Sequence, residues 1–150
     1  MTDYKTMCMQ LESLTEDERG LIPVLSNASA LIMDSMAELN WAGFYLEDKG
    51  SLLLGPFQGK VACIRIARGK GVCGTAYDRD ETIRVDNVHE FPGHIACDSA
   101  SNSEIVIPLH KDGKIFGVLD IDSPNFSRFT PEDQEGLESL ARILEDRVEL

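Results

Sequence analysis

Residues 104–122 have the sequence EIVIPLHKDGKIFGVLDID, which is typical of an antiparallel β-hairpin. Two apolar stretches flank Asp112-Gly113, a strong turn signal. Alternate residues of a strand point to the same face, so Asp120 and Asp122 share one face. The hairpin therefore predicts an antiparallel sheet with two carboxylates side by side.

The turn length decides whether Glu104 joins these two carboxylates. A two-residue turn would pair Glu104 with Ile121 and leave it on the opposite face, whereas a three-residue turn over 111–113 would pair it with Asp120. We expect the three-residue turn, which places all three carboxylates on one face. Pro108 offers an alternative, because it could mark a bulge that resets the register.

The flanking segments extend the hairpin to an α+β fold. Alternating patterns predict strands at 41–47, 51–57, 61–66, 82–85, 104–109 and 115–121. Helical spacing predicts helices up to residue 14, from 21 to about 39, and from the start signal Thr130-Pro131 onward, with a possible short helix at 71–77. Residues 86–103 have a loop composition. We expect about six antiparallel strands with the helices packed mainly on one face of the sheet.

Size and charge limit the possible functions. The 150 residues predict a single domain spanning 1–150, and no stretch is apolar enough for a membrane span or a secretory signal. We therefore expect a cytoplasmic protein. The net charge of −12 argues against nucleic acid as a partner.

Three of the four cysteines lie in or beside loop-like or glycine-rich sequence. Cys63 and Cys73 fall within 58–85, where six basic residues outnumber three acidic ones, and local positive charge favours thiolate. Cys97 lies in the polar loop, and Cys8 is a bystander in the first helix. Burial as small apolar residues is the alternative for each. A metal site would need His94 and Cys97 with Cys63 or Cys73, but Pro92-Gly93 argues against the helix that would join them.

The carboxylates and the first strand suggest a polar pocket with an aromatic side. Like charges close together cannot all ionise, so one of Glu104, Asp120 and Asp122 should keep a proton near neutrality. Trp41 and Tyr45 flank Gly43 on one face, which predicts a slot for a small apolar group such as an S-methyl. The alternatives are a solvated strand end and ordinary core packing.

Five blocks of sequence together resemble the free methionine-(R)-sulfoxide reductases, a family of GAF-domain enzymes. The blocks are 40–45 (NWAGFY), 55–63 (GPFQGKVAC), 69–76 (GKGVCGTA), 94–104 (HIACDSASNSE) and 117–123 (GVLDIDS). The resemblance implies a GAF fold and a closed pocket. It also implies reduction of the free amino acid's R-sulfoxide, with no reduction of the sulfoxide within proteins.

The same resemblance implies roles for the cysteines. Cys97 would attack the sulfoxide sulfur and become a sulfenic acid, and Cys63 would resolve it as a disulfide that thioredoxin reduces. Cys73 belongs to the same set, and the choice between Cys73 and Cys97 as the attacking thiol stays open. Electrons from thiols require no cofactor and no metal.

The residues add a mechanism to this resemblance. A protonated carboxylic acid suits the sulfoxide oxygen, ionised neighbours suit an ammonium group, and Trp41 and Tyr45 suit the S-methyl group. Backbone amides of 86–103 are expected to meet the substrate carboxylate. Two other functions are possible. One is a GAF-type sensor without turnover, which would need a further domain to receive its signal, and the other is a peroxide-sensitive disulfide switch.

Overall fold

A six-stranded antiparallel sheet forms the frame of the protein. The computed structural model describes residues 1–94 and 100–150. Its elements are α1 (Tyr4–Leu14), α2 (Leu21–Ser35), β1 (Trp41–Asp48), β2 (Ser51–Gly59), β3 (Arg65–Ile66), α3 (Gly71–Arg79), β4 (Ile83–Val85), β5 (Ser103–Lys111), β6 (Lys114–Ser123) and α4 (Pro131–Arg147). The strand order is β3-β2-β1-β6-β5-β4 with every pairing antiparallel. The predicted α+β fold class is confirmed.

The two faces of the sheet carry different layers. Helices α1, α2 and α4 pack on one face over a large apolar core that includes Phe44, Ile107 and Leu119. Helix α3 covers part of the other face above a smaller cluster that includes Tyr45 and Val106. Three of the four helices thus lie on one face, as expected. Within the described residues no helix is both long and apolar enough to cross a membrane.

The β5–β6 hairpin differs from its prediction in turn and in register. Lys111 pairs with Lys114, so the turn is the two-residue Asp112-Gly113, with φ angles of 54° and 78°. These left-handed angles define the tight turn that favours Asp-Gly. The predicted three-residue turn is therefore wrong.

A bulge nevertheless returns Glu104 to the predicted face. The register shifts between Leu109 and His110, beyond the turn and not at Pro108. The shift places Glu104 opposite Asp122 and Val106 opposite Asp120, so the predicted Glu104–Asp120 pair is wrong. Glu104 still lies on the same face as both aspartates, because the shift of one residue reverses the effect of the shorter turn.

Other element boundaries differ modestly from the sequence patterns. The predicted strand at 61–66 is shorter in the structure and covers only Arg65–Ile66, with one further backbone hydrogen bond from Leu54 of β2 to Ile64. The 86–103 loop contains a short 3-10 helix at Val88–Glu90. Helix α4 begins as predicted: Thr130 accepts a hydrogen bond from the backbone N–H of Asp133, whose side chain accepts one from the backbone N–H of Thr130.

Gly43 has a role different from the expected one. A Cβ at this position would lie 2.2 Å from the Cβ of Phe57 on the neighbouring strand, so only glycine fits. The ring of Phe57 then stacks on Trp41 with centroids 5.1 Å apart. Gly43 therefore opens room for Phe57 and leaves no gap for a ligand group.

Candidate functional site

Three carboxylates meet on the face of the sheet that α3 covers. Glu104 lies on β5, opposite Asp122 on β6, and Asp120 lies two residues before Asp122 on the same strand. Glu104 is 8% exposed and Asp120 is 5% exposed. The predicted cluster of three acidic side chains is therefore present, and two of them are buried within the fold.

Helix α3 brings Cys73 over this cluster. The chain enters the helix through Gly69 and Gly71, whose φ angles of 80° and 63° are left-handed. A Cβ at Gly74 would lie 2.5 Å from the carbonyl oxygen of Ala67, so glycine is needed for the preceding loop to pass this close. The result is a buried Cys73 whose Sγ lies 3.8 Å from Oε2 of Glu104.

Burial and mutual repulsion determine the protonation of the carboxylates. Burial raises the pKa of Glu104 well above its ordinary value of 4.5, and the charges of Asp120 and Asp122 raise it further. Burial also raises the pKa of Asp120, whereas hydrogen bonds from Glu104 and Cys73 oppose that rise. Glu104 is thus the member that holds the proton and Asp120 the member that accepts hydrogen bonds.

The Cys73 thiol is held in its protonated form. Burial raises its pKa well above the ordinary 9.0, and the charges of Asp120, Glu104 and Asp122 add to the effect. The expectation that the basic residues of 58–85 favour thiolate is therefore wrong for Cys73. Arg65 and Arg68 instead pair with Asp48 and Asp78 at the surface.

Trp41 and Tyr45 form an aromatic wall beside the carboxylates. Their ring centroids are 5.9 Å apart with planes inclined by 22°, so the two rings stack against each other. A methyl group between two rings needs about 7–8 Å, which is twice a carbon–carbon contact distance. The predicted slot between the rings is therefore closed, and a ligand can only lie against the wall.

The polar atoms of this wall hold the segment that carries Cys63. The indole N–H of Trp41 donates to the carbonyl oxygen of Lys60 at 3.1 Å, and the hydroxyl of Tyr45 donates to the carbonyl oxygen of Cys63 at 2.9 Å. Cys63 is disulfide-bonded, whereas Cys8 and Cys73 carry free thiols. Cys8 lies in α1, beside the core on the opposite face of the sheet.

One pocket collects most of the residues predicted for the site. Its lining includes both wall aromatics, Cys73 and the three carboxylates. Oδ1 of Asp120 is buried there and accepts no hydrogen bond from the described residues, so it is available to a ligand. Cys97 falls in 95–99, outside the described residues.

The lining also includes residues that were not assigned to the pocket from the sequence. Lys70 precedes α3, and Ser101 accepts a hydrogen bond from the side chain of Asn40. His94, a metal-ligand candidate in the sequence, also lines the pocket, and burial and nearby His89 lower its pKa. Lys70 stands in the glycine-rich block before Cys73, which could have indicated it, but no local pattern marks Ser101.

The same cluster is the candidate metal site of the described residues. Single donor atoms of Cys73, Glu104 and Asp120 lie within 4.8 Å of one another. No histidine belongs to this group, unlike the set considered from the sequence. Metal ligands must be deprotonated, and burial opposes loss of the protons of Cys73 and Glu104. The cluster is therefore better suited to hold protons than a metal ion.

Comparison with known proteins supplies the family. Residues 5–148 match the GAF domain model. A protein named free methionine-R-sulfoxide reductase from Escherichia coli is 51% identical over 142 residues, which cover 95% of this chain and 86% of that protein.

Solved structures give the same result. The reduced form of the Staphylococcus aureus protein fRMsr matches with a TM-score of 0.96 and 51% identity, covering 99% of this chain and 97% of that one. A free methionine-R-sulfoxide reductase from Neisseria meningitidis, solved in complex with its substrate, matches with a TM-score of 0.93 and 44% identity, covering 96% and 87%.

The fold and the site thus define a GAF-domain protein with a pocket lined by carboxylates and a thiol. Within that class, the chain belongs to the free methionine-R-sulfoxide reductase family, and it is an oxidoreductase.

The protonated state of Glu104 gives the folded protein a distinctive pH dependence. A carboxyl with a raised pKa in the folded state keeps its proton while the unfolded chain loses it, so stability falls as pH rises above 4.5 toward the folded pKa. Glu104→Gln should remove this loss. The difference in free energy of unfolding between the Glu104→Gln variant and the unmodified protein should therefore increase by up to about 1.4 kcal/mol for each pH unit above 4.5.

Urea unfolding of both proteins between pH 4.5 and 8 measures this difference. Glu90→Gln, at an exposed carboxylate outside the pocket, is the matched control and should follow the unmodified protein. A Glu104→Gln profile parallel to that of the control would mean that Glu104 is ionised in the folded state.

Proposed function

We propose that this protein reduces free L-methionine-(R)-sulfoxide to L-methionine with electrons from its cysteines. The supporting observation is the buried Glu104, whose pKa is raised by burial, beside Asp120 and Asp122 in a pocket with an aromatic wall. The relatives named free methionine-R-sulfoxide reductase support the same substrate for this chain. We further propose a single domain over 1–150 in the cytoplasm, where thiols are kept reduced.

The carboxylates match the polar groups of the substrate. Protonation or strong hydrogen bonding of a sulfoxide oxygen makes its sulfur electrophilic, and Glu104 holds a proton for this purpose. Ionised Asp120, with its available oxygen, and Asp122 bind the ammonium group. The S-methyl group lies against Trp41 and Tyr45, which helps to select one diastereomer. Burying ammonium and carboxylate together would exclude a methionine sulfoxide within a peptide.

The cysteines carry the electrons in three balanced steps. The Cys97 sulfur attacks the substrate sulfur and takes the oxygen, which gives methionine and a Cys97 sulfenic acid. The Cys63 thiol then displaces water from that sulfur and forms a disulfide. A thioredoxin dithiol reduces the disulfide, becomes a disulfide itself, and restores both thiols. No metal or organic cofactor takes part in these steps.

Cys97 is a better candidate for the attack than Cys73. The thiolate is the nucleophile, and the buried thiol of Cys73 beside three carboxylates is held protonated. Cys73 instead donates toward Glu104 at 3.8 Å and adds a proton to the cluster. The disulfide at Cys63 supports that residue as the resolving thiol.

The substrate assignment is tested with separated diastereomers. We expect methionine formation from the free R-sulfoxide with a small dithiol as reductant. The S form, the N-acetylated R form and a peptide-bound sulfoxide should react at least about 100-fold more slowly, since each leaves a buried carboxylate unpaired or misplaces the sulfoxide. No turnover of any form by fully reduced protein would favour a sensor, and turnover of the peptide would contradict the closed pocket.

The cysteine roles are tested by single-turnover measurements without added reductant. Cys97→Ser should yield no methionine, because the attacking sulfur is lost. Cys63→Ser should yield about one equivalent of methionine without reductant. When thioredoxin is then added, this variant should not turn over further, because it cannot form the disulfide that thioredoxin reduces. Cys8→Ser, outside the pocket, is the control and should behave as the unmodified protein. One equivalent of methionine from Cys97→Ser would show that another thiol attacks.

A further inference from the structure

Two large apolar side chains are exposed on either side of Cys63. Val61 is 88% exposed and Ile64 is 71% exposed, while the cysteine between them is disulfide-bonded. Among the residues that the structure describes, the other exposed large apolar ones are separated along the chain or near its ends: Met1, Met9, Leu14, Ile22, Phe126 and Leu150. The surface around the disulfide therefore combines apolar groups with a reactive bond.

The same surface is basic within an acidic protein. Residues 60–70 contain four basic residues and no acidic one, in a chain with net charge −12. Lys60 and Lys70 form no ion pair within the described residues. Arg65 and Arg68 are paired with aspartates, but their side chains remain 47% and 53% exposed. We call residues 60–70 the 60–70 patch.

This patch is held in a fixed conformation. The backbone N–H of Leu54 on β2 donates to the carbonyl oxygen of Ile64 at 2.8 Å. Trp41 and Tyr45 donate to the carbonyl oxygens of Lys60 and Cys63. A surface ordered before binding loses less entropy when a partner docks. The exposure of Ile64 is therefore a property of the folded protein and not of a loose strand.

We propose that the 60–70 patch is the docking surface for a protein dithiol reductant, with Ile64 and Val61 as apolar contacts and Lys60 and Lys70 at the rim. This inference rests on the proposed function, which requires a reductant. The disulfide at the centre of the patch selects a thiol as the reacting group. An apolar centre with a charged rim is typical of transient interfaces, and the positive rim fits a partner with an acidic surface.

The reaction at the patch is a thiol–disulfide exchange. A thiolate of the partner attacks the Cys63 sulfur, which breaks the enzyme's disulfide and releases the other cysteine as a thiolate that takes up a proton. The partner's second thiol then breaks the mixed disulfide and releases Cys63 as a thiol. Two electrons pass to the enzyme, and the partner becomes a disulfide.

Ile64→Ser tests the surface without touching the pocket. Ile64 does not line the pocket, whereas Val61 borders it and is left unchanged. With thioredoxin as reductant, the KM for thioredoxin should rise about fivefold or more, the usual effect of removing an important apolar contact. Turnover with a small dithiol should stay unchanged. Ile22→Ser is the matched control, because Ile22 is 59% exposed on α2 outside the patch.

Turnover with the small dithiol tests the proposed function, and the KM for thioredoxin tests the docking surface. Failure of the unmodified protein to turn over with the small dithiol would contradict the proposed function itself. Normal turnover with the small dithiol, combined with equal KM values for thioredoxin in both serine variants, would overturn only the docking surface. A fall in self-association of Ile64→Ser in sedimentation, with its thioredoxin KM unchanged, would also overturn it and assign the patch to a second copy of the chain.

Discussion

The burial of Glu104 against Asp120 and Asp122 is the constraint on which the site depends. Three carboxyl groups on neighbouring positions of two strands cannot all ionise at this depth, so the sheet itself keeps a proton in the pocket. Burial of Cys73, together with the charges of these carboxylates, raises the pKa of its thiol. A site of this kind suits a reaction that needs an acid and an anionic subsite side by side, as the reduction of a zwitterionic sulfoxide does.

The frame that creates this environment also orders the segment that carries the disulfide-bonded Cys63. Trp41 and Tyr45 face the pocket with their rings and hold residues 60–63 with their polar atoms. In the function proposed above, substrate recognition and the position of Cys63 would depend on the same two side chains. Gly43 supports both, since its missing Cβ lets Phe57 stack behind Trp41.

The sequence predicted the elements and the shared face of the carboxylates, because strand alternation is a local property. It did not predict the register, since the position of the bulge after Leu109 depends on packing between strands that no local pattern records. The expectation that the basic residues of 58–85 lower the pKa of Cys73 was also wrong. Nearness in sequence does not determine where a side chain points. Arg65 and Arg68 pair with surface aspartates, whereas carboxylates from distant strands lie beside the thiol.

The protonation of Glu104 can be measured by titrating its own carboxyl group. Protein labelled with ¹³C at the glutamate carboxyl groups, reduced and free of substrate, can be followed by NMR from pH 3 to 9, with Glu104→Gln used to assign the signal. We expect the Glu104 carboxyl to titrate well above 4.5. A midpoint at or below that value would contradict this expectation, because the pocket would then hold no proton on Glu104 for the sulfoxide oxygen.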